Sequence, residues 1–366
     1  MTTSPPRDAA DLADLAGSLP GGALITDRDV LAGYRQDWAC DPNAGWPRAV
    51  VRATGTADVQ ATLRWASATR TPVVPRGAGS GLSGGSSAVD GCIVLSTERM
   101  RAITVDPVSR VAITQPGLLN VEVKRAAAEH GLFYPPDPSS FEICSIGGNA
   151  ATNAGGLCCV KYGVTTDYVL GMEVVLADGT ALRLGGPRLK DVAGLALTKM
   201  FVGSGGILGV FTELTLRLVP APPSASTMVA QFASIEAATA AVLAITSRLR
   251  PSMLEFMDNT SINAVEDYTS MGLDRTAGAL LVGRSDAPGA TAAAEIALMA
   301  QACRDCGAAD VFTTDDPAEG EAFAAARRAA FPALQRLGSL LLEDVGVALP
   351  KLPTLVSGIA RIATRL

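Results

Sequence analysis

Two ribbons of small residues constrain this chain more than anything else in it. The first, Pro75-Arg76-Gly77-Ala78-Gly79-Ser80-Gly81-Leu82-Ser83-Gly84-Gly85, follows a predicted strand. The second lies about seventy residues later and reads Ser145-Ile146-Gly147-Gly148-Asn149-Ala150-Ala151-Thr152-Asn153-Ala154-Gly155-Gly156. Segments so poor in side chains leave backbone N–H groups uncovered, and glycine lets the backbone approach a ligand closely; this is how a chain wraps phosphate. In the first ribbon the Ser80 hydroxyl adds a further donor. In the second, Asn149, Thr152 and Asn153 donate and accept at once, which suits a heteroaromatic ring edge or a ribose better than bare phosphate.

Gly79-x-Gly81-x-x-Gly84 matches the dinucleotide fingerprint in form, but that fingerprint must open a helix packed on its sheet. Residues 85–91 are small or turn-forming and lead straight into a predicted strand at 92–96. No Gly-Lys-Ser/Thr follows, so a nucleoside-triphosphate loop is excluded as well. The ribbons therefore belong to some other phosphate-binding architecture.

Around the ribbons, short β-branched runs predict strands at 49–53, 72–75, 92–96, 103–106, 111–114, 171–177 and 208–218. Helical patterns fall at 57–67, capped by Thr56, and at 118–130, ending on Gly131. After Pro220-Ala221-Pro222-Pro223 the order becomes strand 227–232, helix 235–249, strand 253–257, helix 260–267, strand 278–284, helix 290–306, strand 309–313, helix 317–330, strand 341–348 and helix 352–364. That alternation predicts an α+β layer with helices on one face. Three divisions are expected: an N-terminal helical segment at 1–45, a ribbon-bearing domain at 46–221 and a second domain at 222–366.

With 48% hydrophobic and 18% charged residues and a mean hydropathy of +0.28, the chain is globular rather than disordered. A net charge of −6 gathers neither nucleic acid nor anionic lipid. The low-charge stretch 192–211 has the length of a membrane span, but Lys199 and five glycines argue for a soluble segment. Seven cysteines without framework spacing fit a reducing compartment, and the polar, acidic start lacks an export signal, so a cytoplasmic location is expected. Cys303-x-x-Cys306 ends an alanine helix with no second pair, and packing is the simpler role. The single histidine, His130, ends a helix and is read as structural.

The ribbons, with Pro135-Pro136-Asp137-Pro138-Ser139-Ser140, Tyr162-Gly163, the run 171–179, Phe201-Val202-Gly203-Ser204 and Leu208-Gly209-Val210, resemble the vanillyl-alcohol oxidase and p-cresol methylhydroxylase (PCMH) superfamily of FAD-linked oxidases. The closest branch holds the glycolate oxidase D-subunit and the D-lactate and D-2-hydroxyglutarate dehydrogenases. The resemblance implies an α+β chain: a two-lobed PCMH-type FAD-binding domain, then a ferredoxin-like cap truncated at its C-terminus. It implies FAD held by Arg76, Gly77, Ala78, Gly79, Ser80, Gly81 and Leu82 at the pyrophosphate. Pro135, Asp137, Ser145, Gly147, Gly148, Asn149, Thr152, Asn153, Gly155, Tyr162 and Gly163 would line the rest, with Val210 near the adenine. Arg327 falls where the family grips a substrate carboxylate, a task its planar fork suits.

The same resemblance implies a small 2-hydroxy acid as substrate, hydride transfer to flavin, and an electron acceptor such as a quinone or an iron–sulfur subunit in a homo- or hetero-oligomer. No metal site is expected within the sequence given. Family members continue past the position of Leu366 into a histidine-rich segment that supplies a proton acceptor, and that segment is not in this sequence. Gly205, Gly206 and Ile207 stand where the family has Glu, Gly and Thr, and Ala324 replaces a common tryptophan. The alternative expectation is therefore a catalytically silent FAD-binding subunit of a glycolate-oxidase-like complex.

Overall fold

The computed structural model describes residues 10–338 and 340–365. They fall into two compact units: one runs to Gly155 and resumes over Val164–Ala221, and the other takes Gly156–Gly163 and continues from Pro222. The chain thus leaves the first unit directly after the second ribbon and returns to it at Val164.

In the first unit, β1 (Leu24–Ile25), β2 (Ala49–Arg52), β3 (Val73–Arg76) and β4 (Ile93–Ser96) form a sheet in the order β1-β2-β4-β3. β2 and β3 run parallel to β4. Parallel neighbours need a crossover, and the helix Thr56–Thr69 supplies the one between β2 and β3. It buries Val59 and Leu63 against Val51, Ile93 and Leu95. Thr56 does not cap this helix as its position predicted. Gly55 is the N-cap, and the Thr56 hydroxyl donates instead to the Glu173 carboxylate at 2.5 Å. A charged acceptor from another strand wins over the helix's own amide.

The second sheet of this unit takes β5 (Ile103–Asp106) and β6 (Val111–Thr114). After the short β7 (Leu132–Phe133) come β8 (Val169–Val175), β9 (Ala181–Gly185), β10 (Val210–Arg217) and β11 (Val219–Pro220). β5, β6, β8, β9 and β10 pair antiparallel in the order β5-β6-β10-β8-β9, while β7 and β11 pair with each other. The helix Asn120–Ala128 is shorter at both ends than its pattern predicted, and Gly131 follows it at φ +67°.

The second unit carries β12 (Ser226–Phe232), β13 (Met253–Asp258), β14 (Ala279–Ser285) and β15 (Asp310–Thr314) in an antiparallel sheet ordered β13-β14-β12-β15. Helices cover both of its faces, not one as expected. Met228, Ala230, Phe232 and Leu281 pack on the helices Ile235–Thr246 and Ala290–Asp305. Val229, Leu280 and Val282 pack on Asn259–Thr269, Pro317–Arg328 and Ala330–Gln335. The continuous apolar runs of β12 and β14 already carried this: a strand buried on both sides does not alternate.

The strand expected at 341–348 is absent. That segment has no regular structure, and Leu341 is 79% exposed. Its apolar pattern resembles a strand, but no neighbouring strand offers it a ladder. In the stretch 192–211 only Leu197–Phe201 is helical, and no helix among the described residues is long and apolar enough to cross a membrane.

Candidate active site

The two ribbons meet. β3 delivers the first ribbon at the end of a parallel strand, and the Ser145 hydroxyl at the head of the second accepts the Ala78 N–H at 3.2 Å and the Gly148 N–H at 3.3 Å. Gly77 is required for this approach, because a Cβ there would stand 2.2 Å from Ser145 Oγ. The second ribbon is not the open loop its composition implied. Ser145 N-caps a helix, Ile146–Thr152, and Asn153 ends it in the left-handed conformation at φ 52°. Two glycines hid that helix from a propensity reading; the serine before it and the asparagine after it were the available signals.

Arg76 lines the cleft, but its buried guanidinium is engaged by the protein itself. It donates to the Ser86 carbonyl at 3.0 Å and the Gln36 carbonyl at 2.9 Å, tying the end of the ribbon back to its start. Burial lowers its pKa from the ordinary guanidinium value, and the nearby Asp37 carboxylate offsets only part of that. Gly79 follows at φ +73°, where a Cβ would stand 2.3 Å from that guanidinium. Asp37 holds the far side of the ribbon by accepting the Ser86 N–H and the Ser87 hydroxyl. Sequence reasoning missed Gln36 and Asp37, which lie outside any motif.

The backbone N–H groups of Gly79, Ser80 and Gly81 donate to no acceptor among the described residues. They line a cleft with about 980 Å³ of unfilled space, part of it open to solvent, whose wall also includes Ser145, Gly148 and Val210. Gly147 and Thr152 line it too. Gly147 lies against Pro116, 2.5 Å from where its Cβ would be, and the Thr152 hydroxyl donates to the Gly148 carbonyl. Asn149 borders the cleft with its amide turned away, accepting from Asn120 at 2.9 Å and donating to Cys144 Sγ at 3.1 Å. Gly205, Gly206 and Phe211 complete the wall and were not foreseen as lining residues.

Other expected cofactor residues are not on that wall. Leu82 is exposed beside the ribbon, and Pro135 and Asp137 are buried while Pro138 and Ser140 line the cleft. The Asn153 side chain accepts the Thr166 N–H, which holds the end of the helix. Ala154 rather than Gly155 reaches the wall. Tyr162 and Gly163 belong to the second unit, where the Tyr162 hydroxyl and the Lys161 ammonium both donate to the buried Asp286 carboxylate. Arg327, also in the second unit, pairs with Glu255 at 2.9 Å, and its Nε is buried with no hydrogen-bond partner among the described residues.

A ribbon whose N–H donors meet no acceptor among the described residues, joined to a second small-residue wall, has the chemistry a dinucleotide's pyrophosphate needs. Residues 47–185 match the family described as FAD binding domain, and residues 221–366 match the C-terminal domain of FAD linked oxidases. The glycolate oxidase subunit GlcD of Bacillus subtilis is 40% identical over 347 residues, 94% of this chain and 72% of that protein. The D-lactate dehydrogenase of Archaeoglobus fulgidus is 39% identical, covering 62% of this chain and 51% of its own. The D-2-hydroxyglutarate dehydrogenase of Xanthomonas citri pv. viticola is 36% identical, covering 69% and 53%. A solved alkyldihydroxyacetonephosphate synthase shares the fold with a TM-score of 0.79 over 99% of this chain and 76% of that one, at 19% identity. The chain belongs to the FAD-linked oxidases.

FAD fits the residues present. Gly79, Ser80 and Gly81 can donate their N–H groups to the pyrophosphate, and a side chain at Gly77 would take the space of the Ser145 hydroxyl that joins the ribbons.

Proposed function

We propose that this chain is an FAD-dependent oxidoreductase acting on small 2-hydroxy acids. The observation that carries the reading is the row of N–H groups at residues 79–81, without an acceptor among the described residues, on the wall of a cleft that Ser145 also lines from the other ribbon. FAD bound there supplies the hydride acceptor for the substrate Cα–H. The chain's own part is binding and orientation. Ser145 ties the two walls together, the Arg76 guanidinium holds the ribbon in its curve, and Gly79 to Gly81 offer backbone donors to the anion.

Arg327 holds the substrate carboxylate in this reading. Its buried Nε has no hydrogen-bond partner among the described residues, and a guanidinium offers two parallel donors to a carboxylate. The substrate class draws its support from the relatives named for glycolate, D-lactate and D-2-hydroxyglutarate. The reading extends to an electron-accepting partner, a quinone or an iron–sulfur subunit, since one relative is named a subunit of glycolate oxidase. It also extends to a reducing, cytoplasmic setting, in keeping with seven cysteines of which none forms a disulfide.

Anaerobic mixing of the purified yellow protein with glycolate, D-lactate or D-2-hydroxyglutarate tests the proposal. Bleaching of the flavin band is expected with at least one of them. A yellow protein that none of them bleaches sinks the oxidoreductase reading and leaves a flavin-binding subunit in its place.

A further inference from the structure

We propose that a second cavity of the first unit, bordered by the start of the first ribbon, binds a small monocarboxylate through Arg101. Arg76, Gly77 and Ala78 line both this cavity and the cofactor cleft, whereas Gly79, Ser80 and Gly81 line the cleft alone. The rest of the cavity wall includes Tyr34, Glu98, Arg101 and Leu119, none of which borders the cleft. It holds about 760 Å³ of unfilled space, part of it open to solvent. The start of the ribbon thus borders two spaces, and FAD accounts for one of them.

The donors for an anion are in place. Glu122 accepts from Arg101 at Nη2 alone, at 2.8 and 2.7 Å from its two oxygens. Glu122 is itself anchored, because it accepts the Leu119 N–H at 2.8 Å where the helix Asn120–Ala128 begins. Nε and Nη1 of Arg101 meet no acceptor among the described residues, and the side chain is 44% exposed, so a solute reaches them without displacing Glu122. The Gly77 N–H likewise has no acceptor among the described residues.

Charge sets the class of ligand. Arg52 pairs with Glu98 at 2.7 Å, and the Tyr34 hydroxyl donates to Glu98 at 2.8 Å. Burial pushes the Tyr34 phenol above its ordinary value, so it stays a donor. The guanidinium groups of Arg52 and Arg76 lie 5.7 and 5.8 Å from the centre of the Tyr34 ring. Arg52, Arg76 and Arg101 therefore surround the cavity against two carboxylates, Glu98 and Glu122, and Asp37, which also acts on Arg76, lies on the wall of the cleft. The surplus positive charge suits one anion, and a guanidinium suits a planar carboxylate. A second negative charge on the ligand would meet Glu98. Leu119 and Ala78 leave room for a short apolar body.

Equilibrium dialysis of the FAD-loaded full chain against labelled propionate, which has no hydroxyl to oxidise, counts the sites. Arg101→Leu is expected to weaken one propionate site per chain by at least about tenfold, as loss of a charged hydrogen bond implies, with FAD content unchanged. Arg101→Gln serves if the leucine variant fails to fold. Propionate held at Arg327 is counted in both chains and cancels, so the result is independent of the substrate reading. Acetate should displace the Arg101-dependent propionate, and succinate should do so only once Glu98→Gln has removed the opposing charge. An equal count with and without Arg101 overturns the proposal. Displacement by succinate in the unaltered chain overturns the preference for a single acid group, and displacement by inorganic phosphate as readily as by acetate overturns the carboxylate assignment.

Discussion

The Ser145 hydroxyl accepts the Ala78 N–H at 3.2 Å across 67 positions of sequence, and through that one contact two ribbons become one cleft. The same oxygen caps the helix Ile146–Thr152 by accepting the Gly148 N–H. Ser145→Ala leaves both donors without their acceptor and should cost about 1–2 kcal/mol. Urea unfolding measures that loss. FAD content after gel filtration should fall with it, and an unchanged content would detach Ser145 from the cofactor.

Arg327→Ala should leave the yellow colour intact and raise the KM for hydroxy acid. A charged hydrogen bond contributes about 1.5–3 kcal/mol, roughly tenfold to more than a hundredfold in affinity. Arg327→Lys should recover little of this, because a point charge does not replace the planar fork. Steady-state kinetics with an artificial acceptor decides it, and an unaltered KM would remove Arg327 from the substrate.

Glu173 links the helix Thr56–Thr69 to the second sheet of the first unit. Burial pushes its pKa up, but hydrogen bonds from Thr56 and Thr212 and the pair with Arg183 outweigh that and hold it below the ordinary value of 4.5. A carboxylate with a depressed folded pKa stabilises above its unfolded pKa and loses that contribution as pH falls through the folded one. Stability should therefore decline below about pH 4.5, and Glu173→Gln should flatten the decline while costing about 1–3 kcal/mol at pH 7. Urea midpoints from pH 7 down to 3.5 show whether the two curves converge.

Burial pushes the Cys303 thiol up to about 12 from 9.0. The folded chain then keeps a proton that the unfolded chain releases, so stability is complete below pH 9 and is lost as pH rises toward 12. Cys303→Ala should make the decline between pH 9 and 10.5 shallower by about 1–2 kcal/mol. In the native chain at pH 8, iodoacetamide should label the exposed Cys40 and leave Cys303 unmodified, as peptide mapping would show.

The ribbons were legible in the sequence because a row of glycines has few other uses, and their failure to open a helix at Gly85 excluded the wrong fold. Their contact was not legible, since the Ser145–Ala78 hydrogen bond depends on where β3 ends relative to a helix that Gly147 and Gly148 disguise. Side-chain direction was the other hidden variable. Arg76 and Asn149 border the cleft, but their polar groups serve Ser86, Gln36, Asn120 and Cys144. In the second unit, the apolar runs of β12 and β14 held the two-sided burial in plain view, whereas the unpaired segment 341–348 shows that a strand-like pattern without a neighbour makes no strand.

Titration of the cofactor-free chain with FAD, followed by flavin fluorescence, tests the cradle most directly. One FAD per chain is expected. Gly77→Val, whose side chain would enter the space of Ser145 Oγ, should retain its circular dichroism and bind at least about a hundredfold more weakly. A folded Gly77→Val chain that binds FAD as tightly as the unaltered protein would contradict the account.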